Sequence, residues 1–293
     1  MKVKVKSYAK INLTLNVGEK TGGFHPIDSL VTAIDIYDEI AVSRRKDDEI
    51  RLIMRGIGET QIKQSENTAY KAALAFKEKF KTGGVNIEIN KKIPLASGLG
   101  GSSADVAGVL RALKELYDLD ESVKPIADEV GSDCGYMLTG GTARISGRGE
   151  IVEPLTDDLD ICVVLVLSEE GVSTKECYEK FDSVGSATDA AATAKAVAAA
   201  ESGDLPALFK SVSNDLAMPA AMLNAEVGKN LAALKDLSPS ACMVTGSGSA
   251  VFALYETPEL CRWACDKLKK RGYNAIIVYT VPRYSNRCQF NTA

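Results

Sequence analysis

Apolar and polar side chains alternate along the beginning of the chain with the two-residue period of half-buried strands. This alternation predicts strands at residues 3–6, 11–17, 30–34 and 38–43, with a loop at 18–26. Val85, Ile87 and Ile89 repeat the alternation further on. Apolar residues then recur at helical spacing, at Val106, Val109, Leu110, Leu113 and Leu116. The strand at 85–89 is therefore expected to lead through a turn into a long amphipathic helix.

Helical and strand patterns also alternate through the rest of the chain. Before residue 155 they predict helices at 68–80 and 125–130 and strands at 142–146 and 151–154. Later they predict strands at 162–167, 241–245, 250–254 and 274–280 and helices at 174–181, 189–201, 222–234 and 258–271. The stretch 156–160 is acidic and turn-forming, which places a domain boundary there. The chain is thus predicted to be an α+β protein with domains at 1–155 and 156–293.

The turn at residues 93–105 reads IPLASGLGGSSAD. Gly98, Gly100 and Gly101 carry no Cβ that would keep an anion away, and the first N–H groups of the following helix have no intrahelical partner. Ser102 and Ser103 can cap the helix or donate to phosphate oxygens. Neither a Walker A loop nor a dinucleotide fingerprint is present. The turn therefore predicts nucleotide phosphate binding and phosphoryl transfer, with a plain connecting turn as the alternative.

Composition narrows the protein class. The 293 residues are 45% hydrophobic and 25% charged, with a net charge of −4. Lysines and arginines form no stripe, so nucleic acid is not an expected partner. The chain has no uncharged apolar stretch near 18 residues, which predicts a cytoplasmic protein that does not bind membranes. Its seven dispersed cysteines predict no disulfide framework or zinc site, and any Ser-His-Asp triad would need the single histidine, His25.

Three further stretches carry candidate chemistry. Lys10 and Asn12 share one face of the first strands, Asp133 lies in a turn before an apolar run, and Gly246-Ser247-Gly248 forms a second glycine turn. Each also has a structural explanation on its own: a solvated strand, a helix N-cap and a hairpin turn, respectively.

Taken in order, these motifs resemble the GHMP kinase superfamily, whose members share an N-terminal lysine or serine motif, a PxxxGLGGSS phosphate loop and a C-terminal GxG loop. The resemblance is closest to the branch that phosphorylates a cytidine-diphosphate-linked methylerythritol in the non-mevalonate isoprenoid pathway. The matching segments span most of the chain, at residues 9–13, 23–25, 94–103, 131–133, 140–143, 147–150, 173–174, 214–216 and 246–248.

The resemblance implies a two-lobed fold with an N-terminal ribosomal-protein-S5-domain-2-like lobe and a C-terminal ferredoxin-like α/β sandwich. It implies a cytoplasmic enzyme, a monomer or homodimer, that uses ATP with Mg²⁺ on a small-molecule alcohol. No metal ligand cluster is visible in the sequence.

The resemblance also implies roles for individual residues. Asp133 would accept the proton of the acceptor 2-hydroxyl, and Lys10 would hold that hydroxyl and stabilise negative charge. The implied acceptor site contains Asn12, Phe24, His25, Thr174 and Tyr178. The implied ATP site contains Asn67, which could equally be a helix cap, and the loop residues Pro94, Leu95, Ala96, Ser97, Gly98, Leu99, Gly100, Gly101, Ser102, Ser103 and Ala104. The C-terminal glycine loop is Gly246, Ser247 and Gly248.

The chain departs from the family pattern at three places, and at one of them a Tyr-His pair reads Phe24-His25. The usual Gly-Ala-Asp-Val-Pro-Phe reads Gly-Ser-Asp-Cys-Gly-Tyr at 131–136, and Gly-Ser-Gly-Pro-Thr reads Gly-Ser-Gly-Ser-Ala at 246–250. Losing the proline is expected to loosen the turn that aims Asp133. Two alternatives therefore stay open: another GHMP kinase acting on homoserine, mevalonate or a sugar, and a catalytically weak paralogue that binds nucleotide as a sensor.

Overall fold

The computed structural model describes residues 1–57, 63–155, 159–185 and 189–284. Its strands are β1 (Lys2–Asn12), β2 (Thr14–Val17), β3 (Ile27–Arg44), β4 (Ile50–Gly56), β5 (Val85–Lys91), β6 (Thr142–Gly147), β7 (Ile151–Pro154), β8 (Cys162–Val166), β9 (Ser213–Asn214), β10 (Ala241–Val244), β11 (Val251–Leu254) and β12 (Ala275–Tyr279). Its helices are α1 (Thr68–Phe80), α2 (Gly101–Leu116), α3 (Lys124–Val130), α4 (Cys134–Thr139), α5 (Thr174–Val184), α6 (Ala192–Glu201), α7 (Leu205–Lys210), α8 (Ala217–Leu223), α9 (Ala225–Lys235) and α10 (Pro258–Lys270).

Two sheets organise this part of the chain, as expected for an α+β protein. The first contains β1 to β7 and β9, with β3 at its centre, paired to β1, β2, β5 and β6. The second has the order β10-β11-β8-β12, in which every pairing is antiparallel. The predicted boundary between residues 155 and 156 adjoins 156–158, which lie outside the described residues, so the domain division stays a prediction.

Strand β3 corrects the prediction of two separate strands at 30–34 and 38–43. It runs unbroken for 18 residues. Along its length it exchanges β6, paired at 27–32, for β5, paired at 39–44. The exposed Asp35 interrupts the alternation near this change of partner, and Asp35 and Ile36 bulge out of register opposite Tyr8 and Ala9 of β1. The break in the pattern therefore marks a change of neighbour and not the end of a strand.

Several other elements differ from the predicted pattern. The parallel edge strand β4 and the short helices α4, α7 and α8, of six or seven residues each, were not predicted, since a helix of this length shows fewer than two full turns of its period. The predicted helix at 222–234 is two helices that meet at Asn224. The Asn224 side chain accepts a hydrogen bond from the Glu226 N–H at 2.9 Å, so it caps α9. The predicted helix at 189–201 begins later, at Ala192.

The apolar core joins the two sheets. One buried cluster contains Ile11 and Leu30 of the first sheet together with Val163 and Phe252 of the second. The predicted apolar face of α2 is buried against the first sheet. Cys261 and Cys265 lie buried on one face of α10. None of the described helices is both long and apolar enough to span a bilayer.

Candidate active site

A cavity of ≈ 810 Å³ brings most of the predicted site residues together. It is lined by the predicted residues Lys10, Asn12, Phe24, His25, Pro94, Leu95, Ala96, Ser97, Gly98, Gly100, Gly101, Ser102, Ser103, Asp133, Thr174, Tyr178, Gly246 and Ser247. Strands β1 to β3 of the first sheet, helix α5 and the loop between β10 and β11 all contribute to its walls. The predicted residues Leu99, Ala104 and Gly248 are not among the residues that line the cavity, and the side chains of Leu99 and Ala104 are buried in the core.

The glycine-rich loop is fixed through its carbonyl oxygens. Those of Ala96, Ser97 and Leu99 accept hydrogen bonds from backbone N–H groups elsewhere in the fold, at 3.0 Å each. Gly100, at the N-cap of α2, has φ 75° and provides no side-chain cap. The first N–H groups of α2 therefore have no side-chain cap. They lie at the positive end of the helix dipole, so this end of α2 favours an anion.

The two glycine loops touch each other directly. Gly98 has φ 78°. A Cβ built on Gly98 would lie 2.0 Å from the carbonyl oxygen of Thr245. Only glycine fits both the left-handed backbone and this approach. The C-terminal loop is held in turn by Asn214, whose Nδ2 donates to the carbonyl oxygens of Val244 and Gly246 at 2.8 Å each.

Lys10 and Asp133 converge in the cavity although they are far apart in the sequence. Lys10 Nζ lies 3.4 Å from Asp133 Oδ2, and it donates a hydrogen bond to Asn12 Oδ1. Asp133 occupies the N-cap position of α4, but its side chain makes no capping hydrogen bond. The N-cap alternative is therefore not what holds this carboxylate, which faces the lysine instead.

The turn that carries Asp133 is closed without the family's proline. The Cys134 N–H donates to the Gly131 carbonyl at 3.1 Å, and the Met137 N–H donates to the Asp133 carbonyl at 3.0 Å. Burial raises the pKa of the Cys134 thiol to about 12. The thiol beside Asp133 is thus protonated at neutral pH and is a packing group, since thiolate is the nucleophilic form.

Aromatic rings line the other end of the cavity. The His25 ring stacks on Tyr178 at 5.7 Å between centroids and meets Phe181 edge-on at 5.6 Å. His25 Nδ1 lies 2.8 Å from the Gly18 carbonyl oxygen, and Nε2 lies 2.7 Å from Oδ1 of Asp182. Both ring nitrogens thus face protein acceptors, and the imidazole is packed between the rings of Tyr178 and Phe181 at the wall of the cavity.

Three cations line this end of the cavity and were not predicted as site residues: Lys20, Arg148 and Lys175. Lys20 Nζ binds Asp182 Oδ2 at 3.0 Å, and that hydrogen bond is the main cause of the lowered Asp182 pKa. The Arg148 guanidinium lies 3.7 Å from the ring centre of Phe24. Arg148 stands in the Gly-Arg-Gly-Glu motif, which could have identified it. The Lys20 and Asp182 positions are 162 residues apart and share no sequence signal.

Asn67 lies outside the cavity wall and caps α1. Its Oδ1 accepts hydrogen bonds from the N–H groups of Ala69 and Tyr70, at 2.8 and 3.3 Å. The neighbouring Thr68 hydroxyl bonds the Ser102 hydroxyl at 2.8 Å, which sets the start of α1 beside the start of α2. The helix-cap alternative is thus realised, and the adenine-side role of Asn67 stays a prediction.

A buried ionic cluster lies beneath the phosphate loop. Lys91 Nζ lies 2.5 Å from Asp38 Oδ2 and 2.8 Å from Asp105 Oδ2, and it donates to the Gly101 carbonyl at 3.1 Å. Asp38 Oδ1 also accepts from the N–H groups of Lys92 and Ile93. The cluster ties β5 and α2 together where the loop joins them.

Burial of the Asp105 carboxyl makes the stability of this cluster depend on pH. Burial raises the pKa of Asp105 to about 7. The unfolded chain releases this proton near pH 3.9, so between about pH 4 and pH 7 the folded state holds the extra proton and stability falls as pH rises. We expect Asp105→Asn, which cannot titrate, to gain stability relative to the unmodified protein across this window. Urea unfolding at several pH values measures the difference, and a pH-independent difference contradicts the assignment.

The sequence of this chain is similar to the sequences of known kinases. The family model described as the GHMP kinases N terminal domain matches residues 67–143. The 4-diphosphocytidyl-2-C-methyl-D-erythritol kinase of Cutibacterium acnes is 37% identical, covering 85% of this chain and 84% of its own. The protein of the same name from Desulfitobacterium hafniense is 34% identical, covering 96% of this chain and 97% of its own.

Two solved kinase structures superpose on most of this chain. A crystal structure of 4-(cytidine 5'-diphospho)-2C-methyl-D-erythritol kinase superposes with a TM-score of 0.77 at 28% identity, covering 94% of this chain and 98% of its own. The homoserine kinase of Cytophaga hutchinsonii superposes with a TM-score of 0.76 at 19% identity, covering 96% of this chain and 95% of its own, a likeness of fold alone. The expected two-lobed GHMP kinase fold is confirmed.

Proposed function

This chain belongs to the family of 4-diphosphocytidyl-2-C-methyl-D-erythritol kinases, and we propose that it transfers the γ-phosphoryl group of ATP to the 2-hydroxyl group of 4-diphosphocytidyl-2-C-methyl-D-erythritol. One observation carries the proposal. A single cavity joins the glycine-rich start of α2, the Lys10–Asp133 pair and the aromatic rings around His25. These are the three parts that the reaction needs: a phosphate cradle, a proton acceptor with a charge partner, and a place for a flat base.

Donor and acceptor enter from different sides of this cavity. The triphosphate lies against residues 94–103, where unpaired backbone N–H groups and the positive end of α2 favour phosphate. Phosphoryl transfer needs little covalent chemistry from the protein, so positioning and charge stabilisation dominate. The Lys10–Asp133 contact at 3.4 Å supports placing the reacting hydroxyl beside both side chains.

Asp133 and Lys10 have different roles in the proposed reaction. Asp133 accepts the proton that the acceptor hydroxyl loses as its oxygen bonds to phosphorus. The Lys10 ammonium stabilises the negative charge on the transferring group. Asn12, proposed to reach the erythritol or the diphosphate, is buried against Lys10 and Ser29, so it also orients Lys10. The preserved lysine and acid argue against a sensor that binds nucleotide without turnover.

Mg²⁺ fits this arrangement as a companion of ATP. Among the described residues no cluster of three or more acidic, histidine or cysteine side chains could hold a metal ion alone. Mg²⁺ commonly uses one or two protein ligands together with substrate phosphates and water. Asp133 and the hydroxyls of Ser102 and Ser103, which line the cavity beside the glycine-rich loop, would hold the ion together with the phosphates. The ion supplies neutralisation of phosphate charge.

The acceptor end suits a cytidine diphosphate. The ring faces of His25 and Tyr178 offer stacking area to a pyrimidine. Lys20, Arg148 and Lys175 line the same end and supply positive charge for a diphosphate. We propose that this enzyme works in the cytoplasm, where ATP is present as the phosphoryl donor. Its oligomeric state, a monomer or a homodimer, stays a prediction.

An ADP-coupled assay over a panel of alcohols tests the function directly. We expect turnover with 4-diphosphocytidyl-2-C-methyl-D-erythritol and none above background with homoserine, mevalonate or a free sugar. Turnover of one of those alcohols alone would favour the broader GHMP alternative. ATP binding without turnover of any acceptor would favour the sensor alternative.

Removing the Tyr178 ring is expected to weaken acceptor binding selectively. Base stacking on an aromatic ring contributes about 1–3 kcal/mol, so Tyr178→Ala should raise the KM for the cytidylyl acceptor by about 5- to 150-fold. The KM for ATP should not change. Tyr178→Phe keeps the ring and serves as the matched control with near-normal kinetics. Equal acceptor KM values for the alanine and phenylalanine variants would remove Tyr178 from the acceptor site.

A further inference from the structure

A chain of polar contacts leads from Asp133 into the core and ends at Ser29 on β3. Lys10 Nζ, beside Asp133, donates to Asn12 Oδ1, and Asn12 Nδ2 donates to Ser29 Oγ at 2.8 Å. Ser29 Oγ donates in turn to the Thr14 carbonyl oxygen at 2.5 Å. Ser29 and Asn12 are 0% and 2% exposed, so water does not compete at this end of the chain.

The Thr14 carbonyl oxygen, at the end of this series of contacts, determines which group donates in each hydrogen bond. A backbone carbonyl can only accept, so the single hydroxyl proton of Ser29 is committed to Thr14. Towards Asn12, the Ser29 oxygen can then act only as an acceptor. Asn12 must therefore present its NH₂ group to Ser29, and its carbonyl oxygen must face Lys10. The opposite rotation of the amide would set NH₂ against the Lys10 ammonium, with donors facing donors.

We propose that Ser29 is a positioning residue for phosphoryl transfer: it locks the Asn12 amide in the orientation that accepts a hydrogen bond from Lys10. Asn12 then accepts one N–H of the lysine, and the ammonium group lies between Asn12 and Asp133 at the wall of the cavity. The catalytic role of Ser29 rests on the proposed function, whereas the locking of the amide does not.

Ser29→Ala removes the acceptor that orients the amide. We expect kcat for the cytidylyl acceptor to fall about tenfold or more, the effect of leaving a buried donor unpaired, with little change in the KM for ATP. Thr32→Val is the matched control, because it deletes another buried hydroxyl of β3, one that bonds Thr142 outside the Lys10 chain. It should leave kcat unchanged. Ser29→Cys keeps a weak acceptor of similar size and should give intermediate kcat, and it replaces Ser29→Ala if that variant does not fold.

A change at Asn12 separates orientation from packing. In an Asn12→Asp background a carboxylate oxygen faces Lys10 in either rotation, so adding Ser29→Ala should change kcat much less than it does with asparagine. If Ser29→Ala lowers kcat by the same factor in both backgrounds, Ser29 acts through packing and the proposal is overturned. An unchanged kcat in Ser29→Ala overturns it as well.

A second measurement does not depend on turnover. In protein labelled with ¹⁵N at asparagine, the Asn12 side-chain NH₂ signals are assigned by their loss in Asn12→Asp. We expect their hydrogen exchange to accelerate at least about tenfold in Ser29→Ala, since a buried hydrogen bond is lost. Unchanged exchange overturns the locking of the amide. If the unmodified protein phosphorylates no cytidylyl acceptor, the proposed function fails, and the exchange measurement still decides whether Ser29 orients Asn12.

Discussion

Asp133→Asn is expected to lower kcat by about 10²–10⁴-fold, the usual contribution of a positioned general base. The amide keeps the size of the side chain but cannot accept the hydroxyl proton. The affinity for ATP should change little, because the proposed triphosphate site consists of residues 94–103 and the start of α2, and Asp133 lies outside it. Pre-steady-state or steady-state kinetics with the cytidylyl acceptor measure kcat, and titration with ATP measures the Kd.

Asp128→Asn is the matched control for this substitution. Asp128 lies on the preceding helix α3 and pairs with Lys124 at 2.6 Å, so the same chemical change there should preserve kcat. Near-normal turnover by Asp133→Asn would remove Asp133 from the mechanism. An equal loss of kcat in both variants would point to a structural effect of the altered turn instead.

Lys91→Met is expected to destabilise the fold by about 3–5 kcal/mol, the effect of removing one partner from a buried ionic group. Methionine retains most of the side-chain length but leaves Asp38 and Asp105 buried together without a cation. The same change removes the donor to the Gly101 carbonyl, so the phosphate loop loses a support. Urea unfolding measures the free energy, and the KM for ATP reports the loop.

Lys92→Met, one residue along the chain, provides the control. Lys92 pairs with Glu39 at the surface, with both side chains nearly half exposed, and exposed ion pairs of this kind contribute little to stability. A loss of stability in Lys91→Met no greater than that in Lys92→Met would mean that the buried cluster does not support the fold.

The sequence predicts the long helices best. The bounds of α1 and the apolar faces of α2 and α10 follow from their periodicity, because each helix buries one stripe of side chains against a sheet. Strand β3 was divided in the prediction because Asp35 breaks its alternation while the backbone continues. The short helix α4, which carries Asp133 at its start, has too few turns to show a period.

Candidate site residues can be predicted from the sequence where they stand in short motifs. The phosphate loop, Lys10, Asp133 and the C-terminal glycine loop all carry local patterns, and the structure gathers them around one cavity. Contacts between distant segments carry no such pattern. The sequence alone does not predict that Lys20 pairs with Asp182, or that Asn214 donates hydrogen bonds to the loop at Gly246. The role of Ser29 depends on hydrogen-bond direction, which no sequence motif encodes.

The close contact between Gly98 and Thr245 limits how the two glycine loops can be substituted. Because the two glycine loops meet with no space for a methyl group, neither can be redesigned as an independent module. A swap of either loop from a related kinase must bring its counterpart with it, although the two segments lie on opposite halves of the polypeptide. The glycine-rich loop of the proposed donor site and the C-terminal loop that contacts it are thus inherited as a pair.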